Sequence, residues 1–104
     1  MKAESIKSEY GSIKFFRAKE ASFNIETILP KRELPRVYLK RNKTILMVVE
    51  GILNSPKGKL KKDDVVNIKP RQRFWLKNNS NKIAKFLAIH IPPLKDRDIV
   101  WVKT

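Results

Sequence analysis

The feature that most constrains this chain is an alternation of apolar and polar residues with a period of two, broken at even intervals by turn formers. SFNIETILP sets Phe23, Ile25 and Thr27 against Asn24, Glu26 and Ile28, and TILMVVEGIL holds the densest β-branched run, Ile45 to Val49. SIKFFRAK places Ile13, Phe15 and Arg17 on one face and Phe16 on the other; RVYLK, DDVVNIKP, RFWLKN, KIAKFLAIHIPP and the tail DRDIVWVKT read in the same way. Period two marks a strand with one buried face, and helical periodicity runs nowhere over a useful length. Pro30 and Pro35 bracket the charged PKRELP, which should not continue a ladder because proline lacks the amide donor. NSPKGK, with Pro56 and Gly58, predicts a hairpin with one of the longer loops. NNSN collects turn formers, and Pro92 and Pro93 halt the last well-defined strand. About eight or nine short strands in this arrangement argue for an all-β sandwich or barrel, where stacking or closure removes exposed edges.

A chain of 104 residues has room for one core, so residues 1–104 are expected to form a single domain. Its polar beginning, residues 1–11, is expected as a loosely held arm or a short edge strand. No apolar run approaches the roughly 20 residues of a membrane-spanning helix, and MKAESIKSEYGSIKFF carries no apolar core of a signal peptide. Cysteine is absent, which removes disulfides, thiolate nucleophiles and thiolate metal sites. A cytoplasmic location is the expectation. The formal charge of +14 favours polyanions through counterion release, although the basic residues, mostly lysine, are scattered among Glu and Asp as on an ordinary solvated surface.

The order ILMVVEGIL, NSPKGK, LKKDDVVNIKP, RFWLKNNSNK, KFLAIHIPP resembles the second half of a cupin, and the likeness extends over residues 23–93. The family's first motif, G-x5-H-x-H-x3–4-E-x6-G, finds Lys31 for its opening glycine, Val37 and Leu39 for its two His, Thr44 for its Glu, and Gly51 for its closing glycine. The second, G-x5-P-x-G-x2-H-x3-N, finds Asp63, Lys69, Arg71, Phe74 and Asn78. The resemblance implies a double-stranded β-helix, or jelly-roll barrel. It also implies that the residues at the metal-ligand positions cannot hold a metal. Val, Leu and Phe offer no lone pair, one Thr hydroxyl is a poor ligand, and His90 is the sole histidine. No metal, no cofactor and no metal-dependent catalysis are expected.

Under that alignment Val37, Leu39, Thr44 and Phe74 point into the barrel, where they either pack a dry core, the favoured outcome, or line an apolar ligand pocket. Alternation through KFLAIHIPP sets Phe86, Ala88 and His90 together, so His90 falls beside the same space, with Glu26 and Glu50 the carboxylates that could orient it. Trp75 should face away from Phe74 and Leu76, and Ile45, Met47 and Val49 away from Thr44, Leu46 and Val48. A sheet apolar on both faces needs an outer cover, either the chain ends or a second subunit; a homodimer is expected. Lys57, Lys59, Lys61, Lys62, Lys69, Arg71 and Arg73 form the densest basic cluster. It lacks a glycine-rich phosphate loop and interleaved exposed aromatics, so nucleic-acid binding is not favoured.

The leading functional expectation is therefore a metal-free module that binds a small organic molecule or a protein partner, rather than an enzyme. The alternative implied by the resemblance is a metal-independent sugar-nucleotide epimerase or isomerase, needing His90 and Tyr38 to converge and Arg17 or Arg36 to hold phosphate. Tyr38, adjacent to two inward positions, is expected to point outward, which counts against it.

Overall fold

The computed structural model describes residues 3–102; the first two residues of the amino-terminal arm and the last two of the tail lie outside the described residues. Among the described residues, eleven strands and one short 3-10 turn, Asp96–Asp98, follow one another. The strands are β1 (Glu4–Ser8), β2 (Gly11–Arg17), β3 (Ser22–Ile28), β4 (Glu33–Leu39), β5 (Lys43–Glu50), β6 (Leu53–Ser55), β7 (Gly58–Leu60), β8 (Val65–Ile68), β9 (Phe74–Lys77), β10 (Ala84–Ile91) and β11 (Ile99–Trp101). They form two antiparallel sheets, ordered β1-β2-β3-β10-β5-β8 and β11-β4-β9-β6-β7. The expected all-β class is what the chain adopts. Residues 4–8 of the arm are an edge strand, paired with β2 from Glu4↔Phe15 to Ser8↔Gly11.

Two local expectations are corrected. The β6–β7 hairpin has a short loop, with Ser55 paired to Gly58 across Pro56 and Lys57. Ser55 Oγ closes it, accepting from Lys57 N at 3.0 Å and donating to Gly58 O at 2.9 Å, so one hydroxyl supplies what a longer loop would otherwise provide. PKRELP does not stay out of the sheet: β4 begins at Glu33 and runs through Pro35. The ladder accommodates the missing amide with a register shift between Leu34 and Val37, a bulge that leaves both side chains on the same face as their partners Leu76 and Phe74.

The core lies between the sheets. Ile28, Val48, Leu53, Leu76 and Ala84 are fully buried, and Leu46, Phe74, Phe86 and Ala88 nearly so. On β10 the predicted alternation holds, with Phe86, Ala88 and His90 inward. On β3 the buried face is the more polar one: Ser22, Glu26 and Ile28 are buried whereas Ile25 is 47% exposed. Pairing dictates this, since Ser22, Asn24 and Glu26 stand opposite His90, Ala88 and Phe86.

Three turns share one construction. Arg32 N bonds Leu29 O at 3.2 Å, Asp64 N bonds Lys61 O at 2.9 Å, and Gln72 N bonds Lys69 O at 3.1 Å. In each, the third residue is left-handed: Lys31 at φ 64°, Asp63 at φ 74° and Arg71 at φ 67°. A turn with positive φ at its third position ordinarily carries glycine there. These three are the only non-glycine residues of positive φ among those described, and they occupy the positions that the cupin motifs give to glycine. Gly51, at the fourth motif glycine, has φ 79°. The backbone thus keeps the shape of the motifs where the letters have changed.

Candidate functional site

A cavity of about 230 Å³ remains between the two sheets. Val37 and Leu39 on β4, Thr44 on β5, Phe74 at the start of β9 and His90 on β10 all line it. The five residues singled out from the sequence are therefore brought together. The favoured expectation of a filled interior is corrected, because Phe74 packs into the core at 5% exposure without occupying the whole space. The cause lies in the partners: Ala88 and Thr44 are small, and the interior face of β3 carries Ser22 and Asn24 rather than large apolar groups. Tyr38 also borders the cavity, contrary to the expectation that turned it away.

One end of the cavity is built on a row running across the sheet, Ser22–His90–Thr44–Ile68. Thr44 Oγ1 and His90 Nδ1 are 2.8 Å apart, and both residues are buried. Burial lowers the His90 pKa from 6.5 to about 4, so the ring is neutral at pH 7. With Nδ1 engaged by Thr44, His90 Nε2 is a buried atom with no partner among the described residues. Asn42, in the turn before β5 and 1% exposed, donates from Nδ2 to Pro92 O at 2.7 Å and leaves Oδ1 unpartnered. Buried polar atoms are ordinarily satisfied, so these two orphans stand out, and both belong to residues that line the cavity.

The other end was not found from the sequence. Glu26 faces inward at 6% exposure, opposite Phe86, roughly 13 Å along the strands from the His90 row at about 3.3 Å per residue. Tyr10 Oη donates to Glu26 Oε1 at 3.0 Å, and Asn24 Nδ2 to Oε2 at 3.4 Å. Desolvation pushes the Glu26 carboxyl up from its ordinary range, with those two hydrogen bonds opposing, and burial together with the Glu26 charge pushes the Tyr10 phenol up. At that distance Glu26 does not orient His90, and Glu50 is an exposed partner of Lys85 at 3.9 Å. The available signal was the polar set Ser22, Asn24, Glu26 at alternate positions of β3; it is misleading because the apolar set Phe23 and Ile25 makes an equally good inner face on paper.

Metal ligation does not fit these residues. Hydrocarbon stands at three of the four ligand positions, and among the described residues no group of three or more His, Cys, Asp or Glu is placed to hold a metal ion. The seven basic candidates are all exposed: Lys57, Lys59, Lys61 and Lys62 on and after the β6–β7 hairpin, Lys69, Arg71 and Arg73 in the turn before β9. Among them only Lys69 borders the cavity. No helix among the described residues is long and apolar enough to cross a membrane.

No protein-family model matches the sequence, and no curated protein matches it. Similar solved structures do exist. An uncharacterized conserved protein with a double-stranded β-helix domain from Klebsiella pneumoniae aligns with a TM-score of 0.77 at 16% identity, over 97% of this chain and 86% of that one. Oxalate decarboxylase from Bacillus subtilis aligns with a TM-score of 0.84 at 14% identity, over 95% of this chain but 30% of that enzyme. A sugar phosphate isomerase of the cupin superfamily from Silicibacter pomeroyi aligns with a TM-score of 0.70 at 18% identity, over 86% and 71% of the two chains. At such identities the likeness speaks for architecture alone, and it agrees with the four motif-glycine positions that keep a left-handed backbone: this chain has the double-stranded β-helix fold of the cupin superfamily.

Proposed function

We propose that this protein is a non-enzymatic binding module that holds a small organic molecule between its sheets, at the position where metal-dependent relatives of the fold do their chemistry. The observation that carries the reading is a cavity of about 230 Å³ walled by Val37, Leu39 and Phe74, with the unpartnered His90 Nε2 and Asn42 Oδ1 on two of its lining residues. A mostly apolar wall with a few convergent polar groups is the usual make-up of a ligand site, and this volume, below the roughly 300–1,000 Å³ of drug-sized pockets, suits a compact ligand. Fragment titration followed by NMR tests it. Binders should shift Val37, Leu39, Phe74 and His90, and an Ala88→Phe change that fills the space should abolish the shifts. Perturbations confined to the outer surface would remove the proposal.

The residues also support a second reading, the metal-independent epimerase or isomerase, because a neutral His90 borders the cavity and could accept a proton. Its phosphate-holding part lacks support: Arg17 donates to Leu94 O at 2.9 Å, and neither Arg17 nor Arg36 lines this cavity. We therefore rank it second.

The homodimer belongs to the same proposal. On the outer face of the larger sheet, Phe16–Phe23–Ile89–Ile45 form one cross-strand row and Ile25–Leu87–Met47–Val65 the next. Phe16 and Phe23 stack at 4.7 Å, while Ile25 and Val65 are 47% and 54% exposed. β1 and β11 lie at sheet edges and do not cover these rows. A second copy is the fitting occupant, since a flat apolar face in a strongly basic protein is complementary to itself and leaves the lysines at the rim. A cytoplasmic setting suits such a module, and cell fractionation checks it.

A further inference from the structure

Among the described residues, Glu26 is a buried carboxyl without a cation. In a chain with 24 Lys and Arg against 10 Asp and Glu, an acid finds a basic partner easily. The ion pairs among the described residues are Arg41–Asp98, Lys77–Glu33 and Lys85–Glu50. Glu26, at 6% exposure, has instead two neutral donors, the Tyr10 hydroxyl and the Asn24 amide. A buried acid that is neither paired nor solvated is unfavourable unless something else completes it. Its surroundings say what that would be. Glu26 lines the central cavity together with Tyr10, Ile13, Phe74 and Phe86, so aromatic rings and hydrocarbon surround the space in front of it. Aromatic faces attract cations, and a carboxylate binds an ammonium most strongly where water is excluded.

We infer that the cavity takes a small organic amine, protonated when bound, whose ammonium pairs with Glu26 while its apolar remainder fills the space between the sheets. This rests on the reading of the cavity as a ligand site, and it names the ligand class. Tyr10 and Asn24 act as positioning residues: each holds one carboxylate oxygen, which fixes the plane that the ammonium meets. The Glu26–Tyr10 bond could in principle serve only to tie the β1–β2 turn to β3. That role asks for a hydrogen-bond acceptor and nothing more, so Glu26→Gln would satisfy it equally.

The test uses the full chain and three compounds of one shape: 2-phenylethylamine, 2-phenylethanol and phenylacetate. They are titrated at neutral pH and followed by NMR at Phe74, Phe86 and His90 and by calorimetry. The amine should bind at least about tenfold more tightly than the alcohol, with phenylacetate weakest. Glu26→Gln should bring the amine to the level of the alcohol and leave the alcohol within about twofold of its original affinity. Tyr10→Phe, which keeps the carboxyl but frees one of its oxygens, should narrow the preference for the amine without abolishing it, and with the unmodified protein it decides the matter if Glu26→Gln does not fold. An alcohol that binds as well as the amine, or an amine preference that survives in Glu26→Gln, overturns the amine and leaves the ligand cavity standing. If none of the three reaches the cavity residues, both readings fall.

Discussion

Replacing Arg71 by glycine should stabilise this protein, and the reasoning can be followed atom by atom. Arg71 is the third residue of the turn Lys69–Pro70–Arg71–Gln72, closed by Gln72 N to Lys69 O at 3.1 Å and tied to β4 by Arg71 N to Leu39 O at 2.7 Å. Its φ of 67° brings Cβ against its own backbone. For a residue other than glycine this costs roughly 1–2 kcal/mol. Glycine removes that cost but loses more conformational freedom on folding, which returns about 0.5–1 kcal/mol. The Arg71 side chain is exposed and forms no ion pair among the described residues, so little else is lost. The net gain for Arg71→Gly is about 0.5–1 kcal/mol, which for a domain near this size raises Tm by roughly 2–6 °C. Arg71→Ala is the control, because alanine keeps the Cβ and its penalty; it should sit within about 0.5 kcal/mol of the unmodified protein. Urea and thermal unfolding of the three proteins side by side provide the measurement. If Arg71→Gly is no more stable than Arg71→Ala, the left-handed turn is not there, and the motif register that places Val37, Leu39, Thr44 and Phe74 around the cavity loses one of its supports.

Three further outcomes are expected. His90 has its folded-state pKa lowered from 6.5 to about 4, so between those values the unfolded chain binds the extra proton; stability is intact above pH 6.5 and falls by about 3 kcal/mol as pH drops toward 4. Denaturant titrations across that window should show the loss, and His90→Gln should flatten it. Glu26 acts with the opposite sign, because its raised pKa makes the folded state the better proton binder; its contribution is complete below the ordinary carboxyl range and declines as pH rises, and Glu26→Gln should remove that decline. Asn78→Ala should cost about 2–4 kcal/mol in chemical denaturation, since the fully buried amide donates to Ile28 O at 2.9 Å and Lys82 O at 2.7 Å and accepts from Ser80 N and Oγ. Met47→Lys, in the middle of the outer apolar rows, should shift a dimer to monomer in sedimentation velocity with little change in monomer fold; unchanged sedimentation would speak against that face as the contact.

Much of the architecture was legible because it rests on local chemistry. Period-two alternation produced the β10 pattern with Phe86, Ala88 and His90 inward, and the turn formers fell between strands as expected. The two short-range errors have short-range causes: a Ser55 hydroxyl that closes a tighter hairpin, and a bulge that lets Pro35 sit in β4. The candidate site was half legible. Val37, Leu39, Thr44, Phe74 and His90 could be placed by motif spacing, whereas Tyr10, Asn24, Glu26 and Asn42 carry no spacing signal, since their meeting depends on which strands pair.

The letters alone settled that these strands alternate and that no imidazole cluster can form, because a side chain either possesses a lone pair or does not, wherever it is folded. Whether the interior would close or stay open, and which face of β3 would be inside, belonged to the tertiary structure. Those outcomes depend on volumes and partners contributed by distant strands: Ala88 beside Asn24, Thr44 beside His90, Phe86 beside Glu26. A strand with two presentable faces has no local reason to prefer either, and only the register with its neighbours supplies one.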